Sequence, residues 1–393
     1  MIVEKEKCYG CNACMNICPK QAIKMEKDEK GFLYPIVDKE KCINCDLCKK
    51  VCPSLNCEEQ NKRVPSTGFA CINKDESIRI KSSSGGIFTL IAQEILKENG
   101  VVFGARFDKN FKVVHDYIEK KEELDIFRGS KYVQSEIKDT YKQVKNFLEQ
   151  GKKVLFTGTP CQIEGLYNYL MKEYENLYTQ DFICHGVPSP EFWRKYLQHI
   201  TKNQNNIENI NFREKIKYGW NDFSLLIRYN NKEYNKTNSK DFYMQMFLLD
   251  VVLRDSCYSC KFKNFQTKAD ITLGDLWGAK DIIPKMHDNK GLSIVFVNSK
   301  KGKEIFNKIM PYMKVEEITL EKVGKYNKGL LETAKKPKIR EEFFMDLENK
   351  SFNKVVKKYK KRFVGSKRFI RKCKNKLKKI VKVKWYGEIT WKI

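Results

Sequence analysis

Two cysteine runs carry the clearest chemistry in this sequence. Cys8-x2-Cys11-x2-Cys14-x3-Cys18 is followed at once by Pro19, and Cys42-x2-Cys45-x2-Cys48-x3-Cys52 by Pro53. Two-residue gaps let a tight loop present three thiolates to three corners of one 4Fe–4S cube. The proline then turns the chain away after the fourth thiolate, which in this spacing ligates the other cube. The expected sets are Cys8, Cys11, Cys14 with Cys52, and Cys42, Cys45, Cys48 with Cys18. Structural zinc prefers two Cys-x2-Cys pairs or mixed Cys/His ligands, which two identical four-cysteine runs do not match. The chemistry implied is one-electron transfer at low potential.

A third set is spread more widely. Cys161 and Cys184 each follow a strand-like segment, and Cys257 and Cys260 form a Cys-x2-Cys. Strand ends are where α/β folds gather ligands. On residue types alone, one more cube and a pair of core thiols beside a zinc half-site stand equal. Cys57, Cys71 and Cys373 are left unassigned.

Ferredoxin-like spacing fills residues 1–57, a module with an internal repeat. Residues 58–68 are polar with Pro65 and Gly68 and read as a linker. From Phe69 the pattern becomes α/β. A helix is expected over Ile87–Glu98, after Ser82-Ser83-Ser84-Gly85-Gly86. Val101–Phe107 and Lys112–Ile118 read as two strands joined by Asp108-Lys109-Asn110, and Thr140–Gln150 as a helix. Further strands are expected at Val154–Thr157, Thr179–Ile183, Ile271–Leu273 and Ser293–Val297. Alternating strands and helices imply a sheet covered by helices, and the hairpin-like pair makes that sheet mixed. The fold class expected is therefore α+β and α/β: a two-cluster module, a mixed-sheet α/β body (69–150 and 151–335) and a basic helical tail (336–393).

The 393 residues carry a net charge of +27, with 15 cysteines and 4 histidines. Hydrophobic residues at 41% suffice for a sizeable core, which excludes wholesale disorder. There is no run of about 18 apolar residues to span a membrane. Met1–Cys8 is too charged for a secretory signal, so the cysteines point to redox or metal chemistry rather than disulfides. A cytoplasmic protein is expected. Residues 351–393 hold 17 Lys/Arg against one acid, Glu388, so much of the charge is a tail property. Phe369/Ile370, Cys373, Leu377 and Ile380/Val381 would form one apolar face of a basic helix, followed by Trp385, Tyr386 and Trp391. Such a helix suits an anionic membrane surface, placing the protein at its inner face, or an acidic partner. Packing on the protein's own body is the alternative. Nucleic acid is disfavoured, because no binding motif accompanies the charge.

An ordered series of motifs follows the two-cluster module: Ser-Ser-Ser-Gly-Gly-Ile-Phe-Thr (82–89), Arg-Gly-Ser-Lys-Tyr-Val-Gln-Ser (128–135) and Thr-Gly-Thr-Pro-Cys-Gln-Ile (157–163). Cys-His-Gly-Val-Pro-Ser-Pro (184–190), Cys-Tyr-Ser-Cys-Lys-Phe (257–262), Asp-Ile-Thr-Leu-Gly-Asp-Leu-Trp-Gly (270–278) and Lys-Gly-Leu-Ser (290–293) complete it. Over residues 1–335 the chain resembles the beta-subunit family of coenzyme F-420 (deazaflavin) hydrogenase/dehydrogenase, in particular bacterial members with a fused ferredoxin module. The resemblance implies FAD held by the α/β body beside a 4Fe–4S cluster, with Cys161, Cys184, Cys257 and Cys260 matching the cluster ligands. It implies an oxidoreductase with a redox partner. Deazaflavin as acceptor is not written in the residues.

The residues support a flavin reading beside the resemblance. Gly85-Gly86 at a helix N-terminus exposes amides to an anion, and Ser83 and Ser84 add hydroxyls. An ordinary serine-capped helix is the plain alternative. Lys131, between Ser130 and Tyr132, would stabilise a reduced anionic flavin electrostatically. Thr157, Gly158 and Thr159 form the strand-to-helix turn beside Cys161. Asp275 and Trp277 are pocket candidates. His185 adjoins Cys184, and His115 has no evident partner; no catalytic residue is assigned. The functions expected are an iron–sulfur flavoprotein delivering hydride to an organic acceptor, or an electron-transfer subunit without a substrate of its own. A cluster-containing nucleic-acid-binding protein ranks last.

Overall fold

The computed structural model describes residues 2–56, 67–203 and 206–361. Cys57, most of the expected linker, Cys373 and the apolar face and aromatics of the tail lie outside the described residues. The chain divides into two units, Met1–Arg340 and Glu341–Ile393.

In the first unit, strands β1 (Ile23–Lys27) and β2 (Leu33–Val37) form an antiparallel pair between the two cysteine runs. The remaining strands of the unit are β3 (Gly68–Asn73), β4 (Val101–Phe107), β5 (Val113–Ile118), β6 (Val154–Thr157), β7 (Leu177–Phe182), β8 (Ile207–Glu214), β9 (Ser224–Tyr229), β10 (Lys232–Thr237), β11 (Ile271–Asp275), β12 (Ser293–Val297) and β13 (Met313–Ile318). Eight of them make one sheet, in the order β13-β3-β12-β11-β7-β6-β4-β5. β4, β6, β7 and β11 run parallel, while β5, β12, β3 and β13 are added antiparallel. The sheet is mixed, as expected from the β4–β5 hairpin. β8, β9 and β10 form a separate antiparallel sheet that the hydropathy pattern did not announce. Its strands alternate poorly, and two register shifts interrupt β8.

Helices cover the large sheet. Helix Ile87–Lys97 packs Leu90, Ile91 and Ile95 with Ile305, Phe306 and Ile309 of helix Lys300–Ile309. Another apolar cluster joins Tyr141, Val144 and Leu148 of helix Thr140–Glu149 to Ile163 and Leu166 of helix Pro160–Leu170. Cys11, Ala13 and Val51 belong to this second cluster. The cysteine-rich module thus shares a core with the body instead of hanging from a tether.

In the second unit, helix Arg340–Asn349 is followed by a helical stretch over 352–361, and Phe343 meets the Tyr359 ring edge-on at 5.0 Å. Asp346 accepts from the Tyr359 hydroxyl (3.1 Å) and pairs with Lys350.

Candidate redox centres and cofactor cavity

The parallel strands all end at one edge of the large sheet, and the chemistry gathers there. β6 ends at Thr157, β7 leads into Ile183-Cys184, and β11 ends at Asp275. Because β7 lies between β6 and β11, the residues that follow these strands meet although they are distant in sequence.

Cys161 opens helix Pro160–Leu170. That helix starts sharply because Pro160 sits in its first turn and Thr159 and Gln162 form a reciprocal capping box. The Thr159 amide donates to Gln162 Oε1 at 2.9 Å, and the Thr159 hydroxyl lies 3.1 Å from Cys161 Sγ. Cys161 is within electrostatic reach of Cys260, Cys184 and Cys257, so all four body thiols are brought together. Burial first, then neighbouring thiols, push Cys257 up to about 12. Burial pushes Cys184 to about 11 despite the opposing Lys263 ammonium. Thiols so crowded keep their protons until a metal displaces them. Two sulfurs already accept amide hydrogen bonds, Cys257 from Val187 and Cys260 from Phe262, both at 3.4 Å. Among the described residues no three Cys, His, Asp or Glu groups close on a single ion. A cube asks for a different arrangement, one iron per thiolate with the sulfurs standing apart.

In the N-terminal module Cys52 is brought to the first run. Cys11 is in electrostatic reach of Cys14, Cys52 and Cys8, and Cys14 of Cys8, Cys52 and Cys48. Cys48 lies in reach of Cys45. Cys18 accepts a hydrogen bond from the Ala22 amide at 3.3 Å, and its grouping with Cys42, Cys45 and Cys48 rests on spacing. The first set is the more buried: Cys8, Cys11 and Cys52 are 8%, 8% and 9% exposed, whereas Cys45 is exposed.

A buried arginine clamps the module to the body. Arg254, fully buried, donates through Nε to the Cys8 carbonyl (2.6 Å) and through its terminal nitrogens to Gln134 Oε1 and the Leu33 carbonyl, each at 2.9 Å. Its guanidinium stacks 4.2 Å from the Tyr34 ring centroid. Lys261 adds a bond to the Ser54 carbonyl (3.1 Å), and Phe262 meets Tyr9 edge-on at 5.2 Å. Nothing in the sequence marked Arg254, and Gln134 stood out only as a member of the 128–135 motif.

Beside the body thiols lies a cavity of about 570 Å³. Ser83, Ser84, Gly86, Ser130, Lys131, Tyr132, Thr157 and Gly158 line it, and so does Cys184. The Ser82–Gly86 turn and the 128–132 turn are tied together by Ser83, whose Oγ accepts from the Ser130 amide at 2.7 Å. Gly86 has φ +84° and opens helix Ile87–Lys97 with no side-chain cap, so that N-terminus keeps donors free. Gly85 and Thr159 fall outside the lining. Gly85 donates to Ser293 Oγ (2.9 Å), and a Cβ there would sit 2.3 Å from the Cys71 carbonyl oxygen. Thr159 serves the helix cap and Cys161 instead. The Lys131 amine is held by the carbonyls of Phe127, Arg128 and Gly129 at 3.1–3.2 Å, and burial lowers its pKa to about 7.

Asp275, Trp277, His185 and His115 also line the cavity. Asp275 holds Arg213 through two bonds (2.7 and 3.0 Å), and Arg213 also donates to the Tyr132 hydroxyl at 3.0 Å. Arg213 comes from β8, where no sequence signal pointed to a site. His185 Nε2 lies 2.7 Å from Asp250 Oδ1. His115 Nε2 meets the Thr157 carbonyl at 3.0 Å, and burial lowers its pKa to about 4, so it is neutral. Ser84 Oγ, Gln180 Oε1, Arg213 Nε and His115 Nδ1 are buried around this cavity without a hydrogen-bond partner. Phe127, Phe223, Phe247 and Leu273 supply apolar wall. A largely apolar cavity with a few unanswered donors and acceptors is built for an organic ligand with polar edges.

No helix among the described residues is long and apolar enough to cross a membrane. Residues 7–56 match the 4Fe-4S dicluster domain model. Over 34 residues the chain is 47% identical to an uncharacterized ferredoxin of Methanocaldococcus jannaschii, covering 9% of this chain and 44% of that protein, less than half its length. A solved structure of the F420-reducing [NiFe] hydrogenase complex from Methanosarcina barkeri aligns with TM-score 0.48 and 18% identity, over 68% of this chain and 89% of that one. Residues 69–141 match the N-terminal model, and 151–323 the C-terminal model, of the coenzyme F420 hydrogenase/dehydrogenase beta subunit. The chain therefore belongs to the coenzyme F420 hydrogenase/dehydrogenase beta-subunit family, an oxidoreductase family, and carries an iron–sulfur dicluster domain for electron transfer at its N-terminus.

Proposed function

We propose that the chain is an iron–sulfur flavoprotein oxidoreductase, with a third 4Fe–4S cluster on Cys161, Cys184, Cys257 and Cys260 and FAD in the adjoining cavity. One observation carries this reading: Cys184 belongs to the body thiol group and also lines the cavity. FAD, when bound, supplies the exchange between one-electron traffic and hydride transfer to or from an organic acceptor. The chain's residues fit that group. The uncapped helix N-terminus at Gly86 offers amides to a pyrophosphate. Ser84 Oγ and Arg213 Nε are unanswered donors, and Gln180 Oε1 and His115 Nδ1 unanswered acceptors. Asp275 and Tyr132 hold Arg213 so that its charge faces the cavity in one orientation. The apolar wall excludes water. Lys131 supplies an amine that gains or loses a proton near neutrality.

The test is iron, labile sulfide and flavin per chain after anaerobic purification. About twelve irons and one FAD support the reading. About eight irons without flavin overturn both the third cluster and the cavity's occupant.

A second reading follows from a family named for a subunit: the flavin serves a partner enzyme and the chain has no substrate of its own. It expects bound FAD and no turnover with deazaflavin or other acceptors until a redox partner is added. Residues 351–393, with 17 Lys/Arg, support recruitment to an anionic membrane or an acidic partner. Unchanged liposome binding and partner capture after their removal would defeat that role.

A further inference from the structure

Helix Pro160–Leu170 does two jobs at once. Its first turn carries Cys161, and one turn later Gly165 lies against the ferredoxin-type module. A Cβ built on Gly165 would stand 3.0 Å from Cys11 Sγ, 3.1 Å from Cys11 Cβ and 3.0 Å from the Tyr141 hydroxyl. Gly165 does not need its freedom for backbone reasons, since it lies inside a regular helix, where glycine weakens the element relative to alanine. Space is what it supplies. Four residues of helix put Cys161 and Gly165 about 6 Å apart along the axis, on the same face. Tyr141, fully buried, donates to the Gln162 carbonyl at 2.7 Å and lies in electrostatic reach of Cys11, Cys161 and Cys14. Cys11, Tyr141, Ile163 and Leu166 share one apolar cluster.

We propose that Gly165 is a spacer that seats the inner cube, on Cys8, Cys11, Cys14 and Cys52, against the helix bearing Cys161, so that electrons leave the module at this contact. The inference rests on the cluster assignments above. The outer cube, with exposed Cys45, is then the face that receives electrons from a one-electron reductant. The step moves one electron: the inner cube is oxidised, the body cluster is reduced, and no proton or bond changes hands. Gly165 is a positioning residue.

The full chain, anaerobically purified and reduced stepwise with dithionite, tests this by electron paramagnetic resonance. Iron content is read first, because about eight irons would refute the third cluster rather than the junction. With about twelve irons, the body-cluster signal is expected to split through magnetic interaction with the inner cube. A body-cluster signal that shows no such interaction overturns the proposal. Gly165→Ala is then expected to keep its iron, weaken the splitting and slow flavin reduction severalfold. Gly329→Ala, where an added Cβ meets nothing within 4 Å, is expected to change neither. Full iron with unchanged splitting and rate in Gly165→Ala overturns the spacer role. If Gly165→Ala loses iron, the wild-type splitting decides.

Discussion

The N-terminal and body cysteines are two ways of collecting thiolates. In the module, eight cysteines fall between positions 8 and 52, and short loops fix each run before any distant contact forms. In the body, four cysteines fall between positions 161 and 260: neighbouring strands β6 and β7 lead to Cys161 and Cys184, and the short helix Asp255–Ser259 brings Cys257 and Cys260 from elsewhere in the chain. Burial raises thiols in both sets, Cys11 and Cys14 in the module as well as Cys257 in the body, but the module reaches from buried Cys11 to exposed Cys45, whereas the body thiols are all half-buried beside a cavity. A locally encoded site tolerates exposure, since its loops carry their own geometry. A site assembled from distant segments depends on the packing around it, and losing that packing loses the site.

The comparison is broken most directly by Cys257→Ser with Cys260→Ser. About four of about twelve irons are expected to be lost, with the module's eight retained. Iron and sulfide analysis reads this, and loss of all the iron would mean that the module cannot stand without the body cluster. Arg254→Met comes next. It leaves the Cys8 and Leu33 carbonyls and Gln134 without their buried donor, and about 3 kcal/mol of stability is expected to go. The check is a lower thermal midpoint under anaerobic conditions, with the module's clusters bleaching before the body's absorbance changes.

A pH effect sharpens the contrast from the body side. Lys215 is buried, donates to the Ser84 carbonyl (2.9 Å), and has its pKa lowered to about 7, by burial first and then by Arg213 and Arg79. Above about 7 the folded chain has released this proton while the unfolded chain still holds it. Stability should therefore rise with pH from about 7 toward the ordinary lysine value. Thermal midpoints across that window should rise less steeply in Lys215→Met, with Lys131 leaving a contribution of the same sign. The smallest effect is expected from Gln162→Ala, which removes half of the capping box at the helix bearing Cys161. About 1 kcal/mol is expected, read by the same melting experiment.

The cavity was partly legible. Ser83, Ser84 and Gly86 announced a donor-rich helix start, and Ser130, Lys131 and Tyr132 a polar turn, but nothing local showed that Ser83 joins the two. Gly85 and Thr159 lie outside the cavity lining, where a glycine and a hydroxyl in a turn serve packing and capping. Arg213 was silent, a single arginine on a strand with weak alternation.

By itself, the sequence determined the two cysteine runs, the Ser-Gly helix start and the β4–β5 hairpin, because each depends on neighbours a few residues away whose spacing sets loop, cap or turn geometry. Only the tertiary structure decided that Cys161, Cys184, Cys257 and Cys260 meet, that Arg254 reaches the Cys8 carbonyl, and that Cys11 rests on Gly165. Those meetings follow from β6 lying beside β7, from the bonds that tie Arg254 and Cys257 to Val187 beyond β7, and from the core shared by module and body, and strand order, long-range bonds and shared burial have no local signature in the chain.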